Sequence, residues 1–364
     1  MDEYRRTRNQ PCTKNNFVKM KTIKLLLTLV SMIYVIEAYP QSDLPRYKIV
    51  NRFSVPGEGG WDYLTIDEST GRLFLSHGTV VQVIDSKSGK LLGTITDTKG
   101  VHGIALANDL NKGFTSNGKD TSVTIFDLST LATITKIKVT GINPDAILYD
   151  EFSHKIFVFN GKSSNATVID AASNRVVETI VLDGKPEFAV SDGAGKVFVN
   201  IEDKSEIQVI NSKILKVEKT WSVAPGEEPS GLALDRITHR LFSVCNNKMM
   251  VIMDSENGKV ITSLPIGGSV DGVAFDPELK TAYSSNGDGT VTVVLEKSND
   301  WFKVIETIAT QKGARTIALD KKTHHVYLTT AEYGDVPDPT AENPKRRPPI
   351  KPETFKVIDI GLIK

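Results

Sequence analysis

DYLTID (Asp62–Asp67) decides the fold, because the chain restates it six more times: HGIALA (102–107), DAILYD (145–150), EFAVSD (187–192), SGLALD (230–235), DGVAFD (271–276) and RTIALD (315–320). Successive starts lie 40, 43, 42, 43, 41 and 44 residues apart. A period of about 42 residues built from short apolar runs belongs to propeller blades rather than helical solenoids. Each repeat breaks into four β segments separated by Gly, Asn, Asp and Ser. Blade one shows the plan at Tyr63–Ile66, Leu73–Ser76, Val81–Ile84 and Leu91–Ile95. β-branched and aromatic enrichment without a sustained 3.6-residue period reads as strands. The predicted class is all-β: a seven-bladed propeller with four antiparallel strands per blade.

A second refrain marks the third strand of each blade: VQVID (81–85), VTIFD (123–127), ATVID (166–170), IQVIN (207–211), MVIMD (250–254), VTVVL (291–295) and FKVID (355–359). Its spacing is 41 to 43 residues until the last step, which is 64. The surplus is a Pro-rich, charged insert at 331–354 that holds Tyr333, Asp335, Asp338, Arg346 and Arg347. The seventh repeat lacks a fourth strand, and YKIVNRFSV (47–55) precedes the first. Closing the ring with this N-terminal strand removes two sheet edges that would otherwise invite pairing with another chain. The propeller is therefore expected over 46–364, after a short linker at 39–45.

VxVID and the inner strand GKPEFAV (184–190) resemble the YVTN-repeat β-propellers, in particular the YncE-like exported propellers. The resemblance covers the chain beyond its leader. It implies seven blades, a periplasmic or extracellular home and no single activity, since related propellers include lactonases and redox enzymes.

Residues 1–38 read as a signal peptide. Lys21 and Lys24 precede the apolar run Leu25–Ile36, cleavage fits near Ala38, and Met20 is the expected true start. Twelve apolar residues are short for the alternative, a membrane anchor. Outside the leader, 37 basic residues stand against 41 acidic ones. Nucleic acid is therefore not the expected partner, because phosphate binding calls for a basic surface. With Cys12 ahead of the leader, Cys245 is the one thiol left, so an internal disulfide is not expected and the chain reads as a monomer.

Two repeat positions should gather at one mouth of the central channel. The first opens each inner strand: Asp62, His102, Asp145, Glu187, Ser230, Asp271 and Arg315. The second follows each second strand: His77, Asn117, Asn160, Ile201, Cys245, Asn286 and Thr330. Blade-to-blade variation in the first set suits ligand recognition. Trp61 and Tyr63 add a stacking surface beside Asp62, and Arg315 suits an anionic group. The ligand candidates are thus Trp61, Asp62, His77, His102, Asn117, Asp145, Glu187, Asp271, Asn286 and Arg315. A divalent metal would draw on Asp62, His102, Asp145, Glu187 and Asp271, with Ca²⁺ or Mg²⁺ favoured by the carboxylates and Zn²⁺ by the imidazole. Tyr333 is the lid candidate. The bland alternative is a hydrated, ion-paired channel.

Among the functional readings, a non-catalytic site for a small ligand, ion or protein segment leads. A metal-dependent lactonase-type or esterase-type hydrolase and a protein-interaction platform stand as alternatives. P-loop, haem-attachment and GxSxG patterns are absent from the sequence.

Overall fold

A computed structural model describes residues 44–340 and 346–363. The expected leader at 1–38, the start at Met20 and most of the 39–45 linker lie outside the described residues. The described residues form seven four-stranded antiparallel sheets. The chain is a seven-bladed β-propeller. Blade one runs Trp61–Asp67, Arg72–His77, Val80–Asp85 and Leu91–Ile95 from the axis outward.

The second strands carry the core. Phe74, Phe114, Phe157, Phe198, Phe242, Tyr283 and Tyr327 occupy one repeat position, and each is buried. One large aromatic per blade fills the wedge between neighbouring sheets, where each ring removes on the order of 150–250 Å² from water. Polar turns delimit the strands. Asp67 accepts bonds from Ser69 N (3.0 Å) and Thr70 Oγ1 (2.5 Å), and Asp320 accepts from Lys322 N (3.0 Å) and Thr323 Oγ1 (2.8 Å). The Asp that recurs at the end of six of the seven inner strands is thus a local turn device, as its residue type suggests. His154, His239 and His324 repeat in the same turn at φ +53°, +59° and +59°.

The last blade has the order Tyr47–Ser54, Lys356–Leu362, His325–Thr330, Ile317–Asp320. The N-terminal strand pairs Tyr47 with Leu362 and Ser54 with Lys356. Asn51 Nδ2 donates to Asp359 Oδ2 (2.9 Å), and the Tyr47 and Tyr283 hydroxyls bond at 2.8 Å. Chain ends thereby close the ring.

One inner strand departs from expectation. RTIALD begins its ladder only at Ile317, leaving Arg315 and Thr316 outside it. Side chains replace the missing ladder bonds: Ser285 Oγ donates to Arg315 O (2.5 Å) and Thr316 Oγ1 to Asp62 O (2.7 Å).

Candidate functional site

The mouth is built by a repeated irregularity. In each of the other six blades the ladder between first and second strands shifts register just after its first pair. These bulges hold Asp62, His102, Asp145, Glu187, Ser230 and Asp271. A bulge frees residues from the pleat and re-aims their side chains.

Small polar side chains from the second strands pin the bulges. Asp62 N donates to Ser76 Oγ (2.9 Å) and Gly103 N to Ser116 Oγ (2.8 Å). Ser116 Oγ in turn donates to Asp145 O of the next blade. Asn200 Nδ2 likewise reaches Ser230 O (2.9 Å) and Gly231 O (3.0 Å). The Ser116 and Asn200 bonds thereby anchor a bulge to the neighbouring blade and help to fix the ring that displays the charges.

Five side chains form a continuous chain of ion pairs around the rim. His102 Nδ1 lies 2.6 Å from Asp62 Oδ2 and 3.6 Å from Asp145 Oδ1. Arg315 places Nη2 3.4 Å from Asp62 Oδ1 and Nε 2.8 Å from Asp271 Oδ2. Opposite them, the Lys185 ammonium sits between Glu187 and Glu202. Below the rim, Tyr63 of blade one and Phe188 of blade four meet at 5.4 Å between ring centroids. Blades one and four are not neighbours in the ring, so this pair spans the channel and forms a floor. The bowl has a volume of about 640 Å³.

Burial sets the charge state of the bowl. It pushes the Asp145 carboxyl up to about 6, with Asp62 adding to the rise and His102 opposing it. Burial likewise raises Asp271 to about 7, against the pull of Arg315. Glu187 is raised to about 9 by burial and by the Asp145 carboxylate. Burial alone would lower the His102 imidazole, but the bond to Asp62 and the charge of Asp145 raise it. Arg315 shows the same balance, its charge held by Asp271 and Asp62. Desolvation is the first cause of each rise, and carboxylates crowded into one cavity reinforce it.

The first predicted set therefore converges, apart from Ser230, whose hydroxyl is turned onto Val270 O (3.1 Å). The second does not line the bowl. Asn117 is buried within its blade and donates to Ser122 Oγ (3.1 Å) and Thr124 Oγ1 (2.9 Å). Asn286 makes the same contacts with Thr290 and Thr292, both at 3.0 Å. His77 is buried, held through Nδ1 by Gln82 Oε1 (2.7 Å) and packed 4.1 Å from the Phe355 ring. It borders a separate cleft of about 240 Å³ beside Gly57–Gly60.

Trp61 also turns outward, lying between Phe355 (5.6 Å) and Tyr333 (6.1 Å). The described part of the insert reaches the bowl at Arg347. Its base is a hairpin in which Tyr333 pairs with Ile350, Gly334 N donates to Pro349 O (2.8 Å) and Lys351 N to Glu332 O (2.8 Å). Tyr333 leans on Gly313, where a Cβ would stand 2.5 Å from its hydroxyl. A chamber of about 710 Å³ opens between the insert and the blades, walled by Trp61, Tyr333, Val336, Pro348 and Ile350.

Of the five proposed metal ligands, Asp62, His102 and Asp145 offer donor atoms within 4.8 Å of one another. Glu187 and Asp271 stand apart from that triad. Lys185, Glu202 and Phe188 were not singled out from sequence. Lys185 and Phe188 both lie in the GKPEF segment, where a lysine directly before an inner strand was a usable signal.

No family model matches the chain. Its sequence is 24% identical over 197 residues to the uncharacterized protein YncE of Salmonella typhimurium and of Salmonella typhi, covering 52% of this chain and 55% of each relative. It is 24% identical over 184 residues to the pre-rRNA-processing protein IPI3 of Meyerozyma guilliermondii, covering 48% of this chain and 40% of that one. The chain thus spans about half the length of the curated relatives it matches. Among solved structures, the WD40 repeats of RRP9 superpose with a TM-score of 0.73 at 10% identity, covering 87% of this chain and 100% of theirs. Kuenenia stuttgartiensis hydrazine synthase gives 0.66 at 17% identity over 75% of this chain and 94% of that chain. These likenesses carry the fold and a YncE-like propeller. Among the described residues, no helix is long and apolar enough to cross a membrane.

Proposed function

We propose that this chain is an exported, non-catalytic binding propeller whose acidic bowl captures a small cationic ligand. One observation carries the reading: four carboxylates, Asp62, Asp145, Glu187 and Asp271, face one cavity, and Lys185 divides its charge between Glu187 and Glu202. A bound cation relieves the repulsion among these carboxylates, and the Tyr63 ring gives an organic ammonium a π-surface. Basic residues followed by the apolar run at 25–36 support export. Calorimetric titration of residues 39–364 with small organic ammonium compounds and with divalent metal chlorides tests the reading. Saturable binding that disappears in Asp145→Asn/Asp271→Asn supports it, and absence of binding by either class sinks it.

A second reading has its own support in the Asp62–His102–Asp145 triad, which is compact enough to hold a transition metal. In that case a metal-bound water would attack a lactone or ester carbonyl, as in hydrolases of this type. Elemental analysis of the purified protein beside Asp62→Ala/Asp145→Ala/Asp271→Ala separates the two. Stoichiometric metal lost in the variant favours the hydrolase, and metal absent from both proteins leaves the binding reading.

A further inference from the structure

The bowl is not a closed cup. Ser269, Arg315 and Arg347 border both the acidic bowl and the chamber beneath the Pro-rich insert, so the two spaces meet at a pair of arginines. Their chemistry is opposite. The bowl is lined by Asp62, Asp145, Glu187 and Asp271 with Lys185, beside the Tyr63 ring. The chamber is walled by Trp61, Tyr333, Val336 and Ile350, and among the described residues its charged lining groups are Lys312, Arg315 and Arg347.

Those cations are available. Arg315 commits Nε to Asp271 and Nη2 to Asp62, leaving Nη1 without a partner among the described residues. Lys312 and Arg347 make no ion pair among the described residues. A ligand seated across the junction would therefore meet anions on one side, guanidinium groups at the centre and apolar rings on the other. Each space lies within the range of about 300–1,000 Å³ common for small-molecule sites.

We propose that the ligand is a zwitterion with an apolar body, an α-amino acid of the leucine or phenylalanine type. Its ammonium group lies in the bowl, its carboxylate at the Arg315–Arg347 junction and its side chain between Trp61 and Tyr333. This rests on the cation-binding reading of the bowl and adds the other two recognition elements. A guanidinium pairs a carboxylate with directional hydrogen bonds, while Asp271 and Asp62 beside Arg315 repel more highly charged anions. The insert thus supplies half of the site: Tyr333 as a wall and Arg347 as a charge.

The test is calorimetric titration of metal-free residues 39–364 at pH 8 with L-phenylalanine, phenethylamine and 3-phenylpropionate, on the parent and on Arg347→Ala. L-Phenylalanine is expected to bind about tenfold or more tightly than either analogue, the scale of one charge-assisted contact. Arg347→Ala should weaken L-phenylalanine about tenfold and leave phenethylamine unchanged. Because Arg347 is exposed on the insert, the variant is expected to melt with the parent.

Equal affinities for phenethylamine and L-phenylalanine overturn the zwitterion assignment while the cation-binding reading stands. Tightest binding by 3-phenylpropionate overturns both. Equal loss for both amines in Arg347→Ala, or no binding by any of the three, also overturns the assignment.

Discussion

At the residue scale, the bowl is a store of frustrated charge with a measurable pH signature. Asp145 and Asp271 are pushed up to about 6 and about 7 in the folded protein, above ordinary aspartate, because burial, with the Asp62 carboxylate adding to it, disfavours their charged forms. Between about pH 4 and 7 the folded chain therefore holds protons that the unfolded chain has released, so rising pH destabilises the ligand-free protein through these groups. His102 and His325, both raised by carboxylate partners, act in the same direction. Their stabilisation is full below the unfolded histidine pKa and is lost as pH passes through the folded value. Asp67 and Asp150, lowered by turn hydrogen bonds, lose their contribution only on the acid side of that window. The expected denaturation midpoint is higher at pH 5 than at pH 8, and Asp145→Asn/Asp271→Asn should flatten the difference. An unchanged slope in that variant would show that the acids are not held protonated. Affinity for a cation should run the other way, rising from pH 5 to 8 as the same carboxyls ionise, which titration at both values checks.

At the scale of the element, the informative feature is the bulge and its tether. Ser116 accepts from Gly103 N and donates to Asp145 O, so a single hydroxyl links blades two and three under the charged rim. Ser116→Ala leaves a buried N–H and carbonyl without a partner. The expected cost is about 1–3 kcal/mol in chemical denaturation, with weaker cation binding because the Asp145 bulge loosens. Full retention of both would show the tethers to be incidental. The insert has a comparable pivot at Gly313, whose φ of +86° and closeness to Tyr333 both favour glycine. Gly313→Ala is expected to cost about 1–2 kcal/mol through its left-handed backbone. It should also push Tyr333 off Trp61, visible as a change in tryptophan emission. The serines recur in sequence as Ser76, Ser116 and Ser285, but nothing in a linear reading distinguishes a tether from a turn. Asn117 and Asn286 show the converse, since their type and position suggested ligand contacts and they are instead spent on hydroxyls of their own blades.

At the scale of the whole molecule, stability comes from seven near-equivalent wedges and one closure. Replacing a wedge aromatic, as in Phe114→Ala, removes a buried ring and leaves a cavity, at an expected cost of about 3–5 kcal/mol by denaturant titration. The same change in different blades should give similar values, because each ring occupies the same environment. Loss of the closing strand is a different kind of damage. Starting the chain at residue 55 strips Tyr47–Ser54 from Lys356–Leu362 and exposes an edge, so aggregation and loss of a single cooperative transition are expected in light scattering and calorimetry. A soluble, cooperatively folding truncation would show that the ring does not depend on its clasp.

The blades were legible in the chain itself, since strand, turn and period are local properties. A 42-residue spacing, an aromatic in every second strand and an aspartate after six of the seven inner strands specify one supersecondary unit, and the offset of the two refrains identifies the orphan strand that closes the ring. Six of the seven positions opening the inner strands announced themselves by varying within an otherwise uniform repeat. Which of them act together was decided by closure and bulging. Arg315 meets Asp62 across 253 residues of sequence, and Tyr63 finds Phe188 across the axis because three blades of rotation set them face to face. The same holds for Lys185 between its two glutamates and for the chamber under the insert. Side chains far apart in sequence share one low-dielectric cavity only once the ring is complete, and that shared burial, which no single repeat contains, gives the mouth its chemistry.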